Sequence, residues 1–186
     1  TLGYHPFQAP SAIASEEYNG RPPCSYCGYC TGYGCWNDSK SSTLVTSIPT
    51  AEATGNFEVR PNSRVFKVLV NDEGKASGVE YRGEDGEMYI QPAGLVILSA
   101  YSFENVRLML LSTSEQFPDG IANNNGQVGK YFMTHSYPGI TGYFPGMNFN
   151  HLSGGLVQNA SFDDFNSDNF DHTDLGFLRG GVLQIG

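Results

Sequence analysis

A series of strand-like runs separated by turn residues constrains the fold of this chain more than any other feature. Residues 64–70 (RVFKVLV) are apolar and β-branched, and residues 76–82 (ASGVEYR) alternate between polar and apolar side chains. A third run follows at 87–90 (EMYI). The turn-forming sequences NDEG at 71–74 and EDG at 84–86 separate the three runs. The pattern predicts an antiparallel β-meander with charged residues at its outer positions.

The next segment replaces alternation with a continuous apolar run. Residues 94–100 (GLVILSA) are typical of a strand that is buried on both faces of a parallel sheet. Residues 103–111 then predict a helix with Ser102 as its cap and with Leu108 and Leu111 on the inner face. A strand, a short turn and a helix make one βα step of a nucleotide-binding sheet. The predicted fold class is therefore α/β.

Less regular structure is expected in the remainder of the N-terminal two thirds. Residues 1–23 are rich in proline, and residues 113–130 are rich in Asn, Gly and Asp, so both predict loops. Residues 39–54 predict a helix that Pro49 kinks or ends early. A short alternating run at 57–60 predicts one further strand.

The C-terminal part is rich in glycine and aromatic residues. Strand-like runs at 139–144 and 176–182 predict the start of a second, antiparallel β domain. We therefore expect one domain to span 1–138 and a second to begin at 139–186. The chain starts at Thr1 and ends just after the strand-like run 181–185, so we expect it to be an internal piece of a longer protein.

Charge and hydropathy exclude some classes of function. The formal net charge is −9 and Lys and Arg do not cluster, whereas nucleic-acid binding requires a basic surface. No run approaches the roughly 18–20 apolar residues of a membrane span. The N-terminus shows no basic region followed by an apolar one, so no signal peptide is visible in this sequence, which says nothing about the parent protein if the chain is a fragment.

All four cysteines belong to one short, glycine-rich segment. Cys24, Cys27, Cys30 and Cys35 form the motif Cys-x2-Cys-x2-Cys-x4-Cys, and Tyr and Gly lie between them. Closely spaced thiolates on such a loop can converge on an iron–sulfur cluster or on zinc. The same cysteines could form two short disulfides or stay unliganded. The spacing leaves these alternatives open.

The order of these features resembles the glucose-methanol-choline (GMC) oxidoreductase family. The resemblance lies in residues 19–70 (from NGRPPCSYCGYC to VFKVLV), 94–112 (GLVILSAYSFENVRLMLLS) and 125–139 (NGQVGKYFMTHSYPG). The cysteine-rich segment is most similar to the flavoprotein subunits of bacterial gluconate, glucose and fructose dehydrogenases. The resemblance covers residues 16–145 well and the remainder loosely.

The resemblance implies part of an FAD-binding, Rossmann-like domain followed by the start of a substrate-binding domain. It also implies FAD-dependent oxidation of the CH–OH group of a sugar, sugar acid or alcohol. Electrons would pass through an iron–sulfur cluster to a cytochrome. The phosphate-binding motif Gly-x-Gly-x-x-Gly is absent from this chain, and the family's catalytic histidine would lie beyond Gly186. The chain alone is therefore expected to be inactive.

The resemblance also assigns site residues. Val65 matches the strand residue whose main chain meets the adenine of FAD. Ala100 and Tyr101 match the turn that closes on the adenosine part, although the family often has glycine at the position of Tyr101. Glu104 lies where members often have Ser or Thr, and its role is open.

For a [3Fe-4S] or [4Fe-4S] cluster, the resemblance implies Cys24, Cys30 and Cys35 as ligands. Cys27 is then a spare thiol or a fourth ligand. The expected partners are a small subunit and a cytochrome c subunit in a membrane-associated periplasmic complex.

Four further residues are weaker candidates. His135 lies in a family-like segment but is expected to be structural. Asp164 opens an acidic run with partial calcium-loop spacing, which we interpret as a solvated loop. Arg21 and Lys40 flank the cysteines and could offset cluster charge. Two rival functions stay open: a disulfide-stapled, non-enzymatic β-rich binding module, and a GMC oxidase that uses oxygen and has structural cysteines.

Overall fold

The computed structural model describes residues 2–27, 30, 33–147, 160–177 and 179–185. Two compact units are present, one formed by Thr1–Phe57 with Gly142–Gly186 and the other by Glu58–Thr141. The secondary-structure elements are α1 (Ser47–Glu52), β1 (Arg64–Val70), β2 (Ala76–Arg82), β3 (Met88–Pro92), α2 (Ser102–Leu111), β4 (Ala160–Phe162), a 3-10 turn (Ser167–Asn169) and β5 (Leu183–Ile185).

The predicted meander is confirmed in the unit Glu58–Thr141. β1, β2 and β3 form an antiparallel sheet in that order, and β1 and β2 have the predicted bounds. Val68 pairs with Val79, and the register shifts between Val65 and Lys67, so Phe66 is the extra residue of a bulge. The alternation of the sequence therefore produces the expected sheet.

Polar side chains shape both hairpin turns. The Asn71 side-chain oxygen accepts hydrogen bonds from the backbone N–H groups of Glu73 and Lys75, and Gly74 has a φ of +75°, which glycine adopts without strain. In the second turn, the Asp85 carboxylate accepts the N–H of Glu87. These local hydrogen bonds explain why the sequence predicts both turns.

The buried centre of this unit joins α2 to β1. Val68 and Leu108 are buried apolar residues, and Ser112 beside them is 1% exposed. The Ser112 hydroxyl donates to the carbonyl of Leu108 at 2.6 Å and accepts the N–H of Val68 at 2.8 Å. It thereby satisfies a backbone donor of β1, an outer strand of the described sheet.

The predicted inner face of α2 is correct for Leu108 and wrong for Leu111, which is 51% exposed. Among the described elements only β1 packs against α2. One strand covers a narrower stripe of a helix than a whole sheet does, so Leu111 lies outside the contact.

The predicted buried strand at 94–100 is not formed in the described structure. No described strand pairs with this segment, and Leu95 and Ile97 are 75% and 76% exposed. A parallel strand needs neighbouring strands to supply its hydrogen bonds and cover its faces. The described part of the chain places none beside it.

Of the helix predicted at 39–54, only α1 (Ser47–Glu52) is formed. Pro49 is the third residue of α1, where the backbone N–H needs no intrahelical partner, so proline neither kinks nor ends the helix. Ser39 instead bonds to the side chain of Asn37, which is a non-helical arrangement. Residues 57–60 do not form the predicted strand.

The other unit contains the antiparallel pair β4–β5, in which Ser161 lies opposite Gln184. An isolated bridge also joins Phe7 to Ser161. The antiparallel pairing agrees with the prediction for the C-terminal part, but the described residues of 139–144 and 176–182 are not strands. The domain boundary after residue 138 stays a prediction. No helix among the described residues is long and apolar enough to cross a bilayer.

Candidate functional site

The four cysteines line a single small cavity. Its volume is about 20 Å³, which is room for about one water molecule. All four are half-buried free thiols, so no disulfide joins them. The cavity is lined by Ile13, Cys24, Ser25, Cys27, Cys30, Gly34, Cys35, Asn37 and Lys40. The fold therefore brings together the thiols that the sequence places on one segment.

Polar side chains hydrogen-bond to the backbone just before this cysteine loop (residues 24–35). The Ser39 hydroxyl donates to the carbonyl of Pro22 at 2.9 Å, and the Asn37 amide donates to the carbonyl of Pro23 at 3.3 Å. The N–H of Cys24 donates to the carbonyl of Ala14 at 2.9 Å. Ser39 is 1% exposed, so its bonds are shielded from water.

Lys40 hydrogen-bonds to two backbone carbonyls within the same loop. Its ammonium group donates to the carbonyls of Cys30 and Tyr33, both at 2.8 Å. The backbone of Lys40 forms an antiparallel bridge with Ile13. The half-buried Lys40 thus links the loop, through its side chain, to Ile13, through its backbone.

The backbone around Cys35 lowers the pKa of its thiol. Burial raises the pKa of Cys35, but the backbone N–H groups of Lys40, Asn37 and Ser39 outweigh this effect and hold the pKa below its ordinary value. The negative charge of Asp38 acts in the opposite direction. A thiolate is the form that binds metals.

The donor chemistry of the cavity fits a thiolate-bound metal centre, since iron and zinc prefer sulfur ligands. Within the described residues, however, no three Cys, His, Asp or Glu side chains lie close enough to hold one metal ion. The ligands of a polynuclear cluster are spread more widely than those of one ion. A cluster still needs more room than about 20 Å³, so the loop has to widen to admit it. The metal ligand set stays a prediction.

The residues predicted to contact FAD lie in the other unit. Ala100, Tyr101 and Glu104 lie together at the start of α2, and Val65 is half-buried on β1, the strand that packs against this helix. A hydrogen bond from Arg107 is the main cause that lowers the pKa of Glu104, and Arg64 adds to it. Arg64 and Glu104 are therefore within electrostatic reach of each other.

The turn before α2 is held by a residue that the sequence reasoning missed. The Asn105 side-chain oxygen accepts the N–H of Ala100 at 2.8 Å, and its amide nitrogen donates to the carbonyl of Leu98 at 3.3 Å. A polar amide one turn into a helix that follows an apolar strand is the signal that could have found it.

Tyr101 has a backbone conformation that normally requires glycine. Its φ is +73° and its ψ is 157°, a region that costs a non-glycine residue about 1–3 kcal/mol. Its ring is 68% exposed and lies 5.6 Å from the ring of Phe103, which lies 4.8 Å from that of Phe132. An exposed cluster of tilted aromatic rings therefore begins at the strained residue.

A model of the GMC oxidoreductase family matches residues 9–137, which include both the cysteine loop and the turn before α2. The chain belongs to this family. Its resemblance to the family is thereby confirmed, and every residue predicted to bind FAD or metal lies in the matched range.

Individual relatives extend the match over the whole chain. The gluconate 2-dehydrogenase flavoprotein of Pantoea cypripedii is 40% identical over 100% of this chain and 31% of its own length. The 2-methyl-1,2-propanediol dehydrogenase of Mycolicibacterium austroafricanum is 31% identical over 99% of this chain and 32% of its own length. The fructose dehydrogenase large subunit of Gluconobacter japonicus is 26% identical over 91% of this chain and 30% of its own length. The chain thus spans about a third of the length of these relatives.

The weaker candidates in this GMC chain have ordinary surroundings. His135 is exposed and its ring lies 5.7 Å from that of Tyr137. The Asp164 carboxylate accepts a hydrogen bond from His5 at 2.7 Å if the ring nitrogen carries the proton, and it also accepts the His5 backbone N–H. Arg21 donates to the carbonyl of Asp38 and to the hydroxyl of Ser41. None of these contacts indicates catalysis.

Proposed function

We propose that this chain is part of an FAD-dependent dehydrogenase that oxidises the CH–OH group of a sugar, sugar acid or alcohol. The observation that carries the proposal is the family match over residues 9–137, together with 40% identity to a gluconate 2-dehydrogenase flavoprotein. The other two relatives are likewise named as dehydrogenases, of a diol and of fructose. Gluconate, sugars and diols are therefore the substrates to test first.

The exposure of apolar residues supports the proposal that this chain is part of a larger folded domain. Among the described residues only Ala9, Val68 and Leu108 are buried apolar residues. A folded domain normally buries far more, and extended apolar surface marks a site of interaction. The exposed side chains of Leu95 and Ile97 favour a parallel, Rossmann-like sheet in which strands from other segments cover them.

Val65 on β1 and Ala100, Tyr101 and Glu104 at the start of α2 are proposed to face the adenosine part of FAD. FAD supplies the acceptor for a hydride from the substrate carbon. The side chain of Asn105 holds the backbone of Ala100 in place for this contact. The catalytic base is proposed to lie outside this chain.

The cysteine loop is proposed to hold an iron–sulfur cluster through Cys24, Cys30 and Cys35, with Cys27 as a spare or fourth ligand. Such a cluster supplies one-electron transfer. The convergence of all four thiols on one cavity and the lowered pKa of Cys35 support this role. A cytochrome c subunit, a small subunit and a periplasmic, membrane-associated location complete the proposal.

The test uses the complete protein that carries this sequence. We expect bound FAD, identified by its absorption and by mass after release, and bleaching of that absorption by at least one of gluconate, glucose, fructose or a diol. The isolated 186-residue chain is expected not to hold FAD tightly, because it lacks the Gly-x-Gly-x-x-Gly motif that binds the pyrophosphate. Absence of flavin from the complete protein, or stoichiometric flavin on the isolated chain, would contradict the proposal.

A further inference from the structure

Two arginines on the meander form a like-charged pair. Arg64 on β1 lies directly opposite Arg82 on β2. Their guanidinium carbons lie 5.3 and 5.4 Å from the centre of the Phe66 ring, so both make cation–π contacts with the same side chain. Like charges directly opposite each other destabilise a sheet. The pair therefore concentrates positive charge at one place in a chain whose formal net charge is −9.

The hydrogen-bond donors of both guanidinium groups are left for an outside partner. In the part of the chain that the structure describes, no carboxylate forms an ion pair with Arg64 or Arg82, whereas Arg60 in the same unit is paired with Glu58. The ring of Phe66 attracts their charge, but it offers no oxygen or nitrogen atom to accept their N–H groups. The pair thus has charge and directed donors to offer to an anion.

The surrounding charged groups do not neutralise this pair. Glu104 is within electrostatic reach of Arg64, but its carboxylate accepts a hydrogen bond from Arg107 and forms its ion pair there. Lys67 lies opposite Glu80, so the charges of this neighbouring cross-strand pair balance each other. The like-charged pair consequently differs from the charge pairs on either side of it.

We propose that Arg64 and Arg82 bind the phosphate group of a small molecule. A guanidinium is a planar fork that bonds two oxygens at once, and one such fork already occupies both oxygens of a carboxylate. A phosphate monoester has three strong acceptor oxygens, so it can bond both forks together. The inference uses the meander alone and depends on neither the proposed flavin nor the proposed cluster.

Phe66 holds the two side chains ready for such a ligand. It is half-buried and is the extra residue of the bulge in β1, an irregularity that commonly re-aims a side chain. Arg64 and Arg82 are exposed, so a dissolved phosphate can reach them. Because the ring already restrains both long side chains, binding is expected to cost less of their conformational entropy.

The first experiment measures phosphate binding to the complete protein by equilibrium dialysis of radiolabelled inorganic phosphate in phosphate-free buffer. Saturable binding is expected in the wild type, and Arg82→Gln is expected to weaken it roughly tenfold, since hydrogen bonds from a charged donor are lost. Arg82→Lys is expected to weaken it less than Arg82→Gln, because lysine keeps the charge and loses only the fork. No phosphate binding by the wild type would overturn the proposal.

Lys67→Gln is the matched control, because Lys67 carries the same charge on the same strand but faces Glu80. It is expected to bind phosphate within about twofold of the wild type. An equal loss in Lys67→Gln and Arg82→Gln would assign the effect to general charge and overturn the site.

Competition identifies the ligand chemistry and its source. Unlabelled AMP and acetate are added separately at equal concentration, and acetate is expected not to displace the labelled phosphate. Displacement by acetate as strong as by unlabelled phosphate would overturn the choice of phosphate over carboxylate. AMP that binds more tightly than inorganic phosphate assigns the site to a nucleotide, and AMP that binds equally or more weakly assigns it to free phosphate.

Thermal unfolding gives a second readout that separates binding from folding. Phosphate is expected to raise the thermal midpoint of the wild type and of Lys67→Gln with increasing concentration, since a ligand stabilises the state that binds it. The midpoint of the double variant Arg64→Gln/Arg82→Gln is expected not to respond to phosphate. A phosphate-dependent rise of equal size in the double variant would place the anion elsewhere and overturn the proposal.

Discussion

The β-meander and the cysteine loop are ordered by different kinds of interaction. The meander depends on backbone hydrogen bonds along β1, β2 and β3, supported by the buried side chains of Val68 and Leu108. The cysteine loop depends on side chains that bond to backbone carbonyls, chiefly Ser39 and Lys40. The bonds that order the meander are spread over many residues, whereas those that order the cysteine loop come from a few side chains.

This difference has a consequence for substitutions. In a ladder of backbone bonds most residues contribute through groups that every amino acid has, so changes act on stability mainly where a side chain is buried. In the loop, a few side chains supply the bonds, so replacing one of them is expected to change the loop more than the rest of the protein. The comparison predicts loss of function from the loop and loss of stability from the meander.

The largest expected effect is that of Cys30→Ser in the complete protein. Because changes to groups around metal ligands already cost 10–100-fold, loss of a ligand is expected to slow reduction of a cytochrome partner at least roughly a hundredfold. Reduction of the flavin by substrate is expected to be nearly unchanged, since hydride transfer does not use the loop. Stopped-flow bleaching of the flavin beside cytochrome reduction, with iron analysis of both proteins, measures the two steps.

Ser25→Ala is the matched control for Cys30→Ser, because Ser25 also lines the cavity but carries no thiol. It is expected to retain iron and cytochrome reduction. If Cys30→Ser slows both steps together and unfolds the protein, the loop is structural and the contrast between the two regions fails.

The next largest effect is expected in the meander from Val68→Ala. Val68 is 3% exposed, so loss of its methyl groups is expected to lower the free energy of local opening by roughly 2–3 kcal/mol. Val65→Ala on the same strand is the control and is expected to cost less than half as much, since Val65 is half-buried. Amide hydrogen exchange in β1 and β2 measures both. Equal losses would show that the buried centre extends beyond the contact with α2.

A smaller loss of stability is expected from Ser112→Ala. The substitution leaves the buried N–H of Val68 without its partner, which is expected to cost about 1.5 kcal/mol by the same measurement. Ser63→Ala is the control, because that hydroxyl bonds to the carbonyl of Pro61 in an exposed position and is expected to change stability by less than about 0.5 kcal/mol. A Ser112→Ala protein as stable as this control would contradict the role of the hydroxyl between α2 and β1.

The smallest effect is expected at Tyr101, and it has the opposite sign. Tyr101→Gly is expected to stabilise the turn before α2 by about 1 kcal/mol, since glycine relieves the strain at φ +73° but adds entropy to the unfolded chain. Tyr101→Ala removes the ring and keeps the strained backbone, so it is expected to give no gain. A gain of equal size in both variants would assign the cost to the exposed ring instead of the backbone.

The local pattern of the sequence determined the meander, its two turns and the existence of α2. β1 and β2 have the predicted bounds because alternation and the turn side chains Asn71 and Asp85 act between near neighbours in the chain. The motif of four cysteines likewise indicated one soft-metal or disulfide site, and the ordered motifs indicated the family that the comparisons confirm.

Tertiary structure alone decided the rest. Residues 94–100 have the composition of a buried strand, but burial is a property of the neighbours that cover it, and the described residues supply none. The spacing left open whether the four thiols are free or paired, and it did not predict the bridge of Lys40 to Ile13, which joins segments far apart in the sequence. Such contacts depend on chain closure, which periodicity between neighbouring residues does not encode.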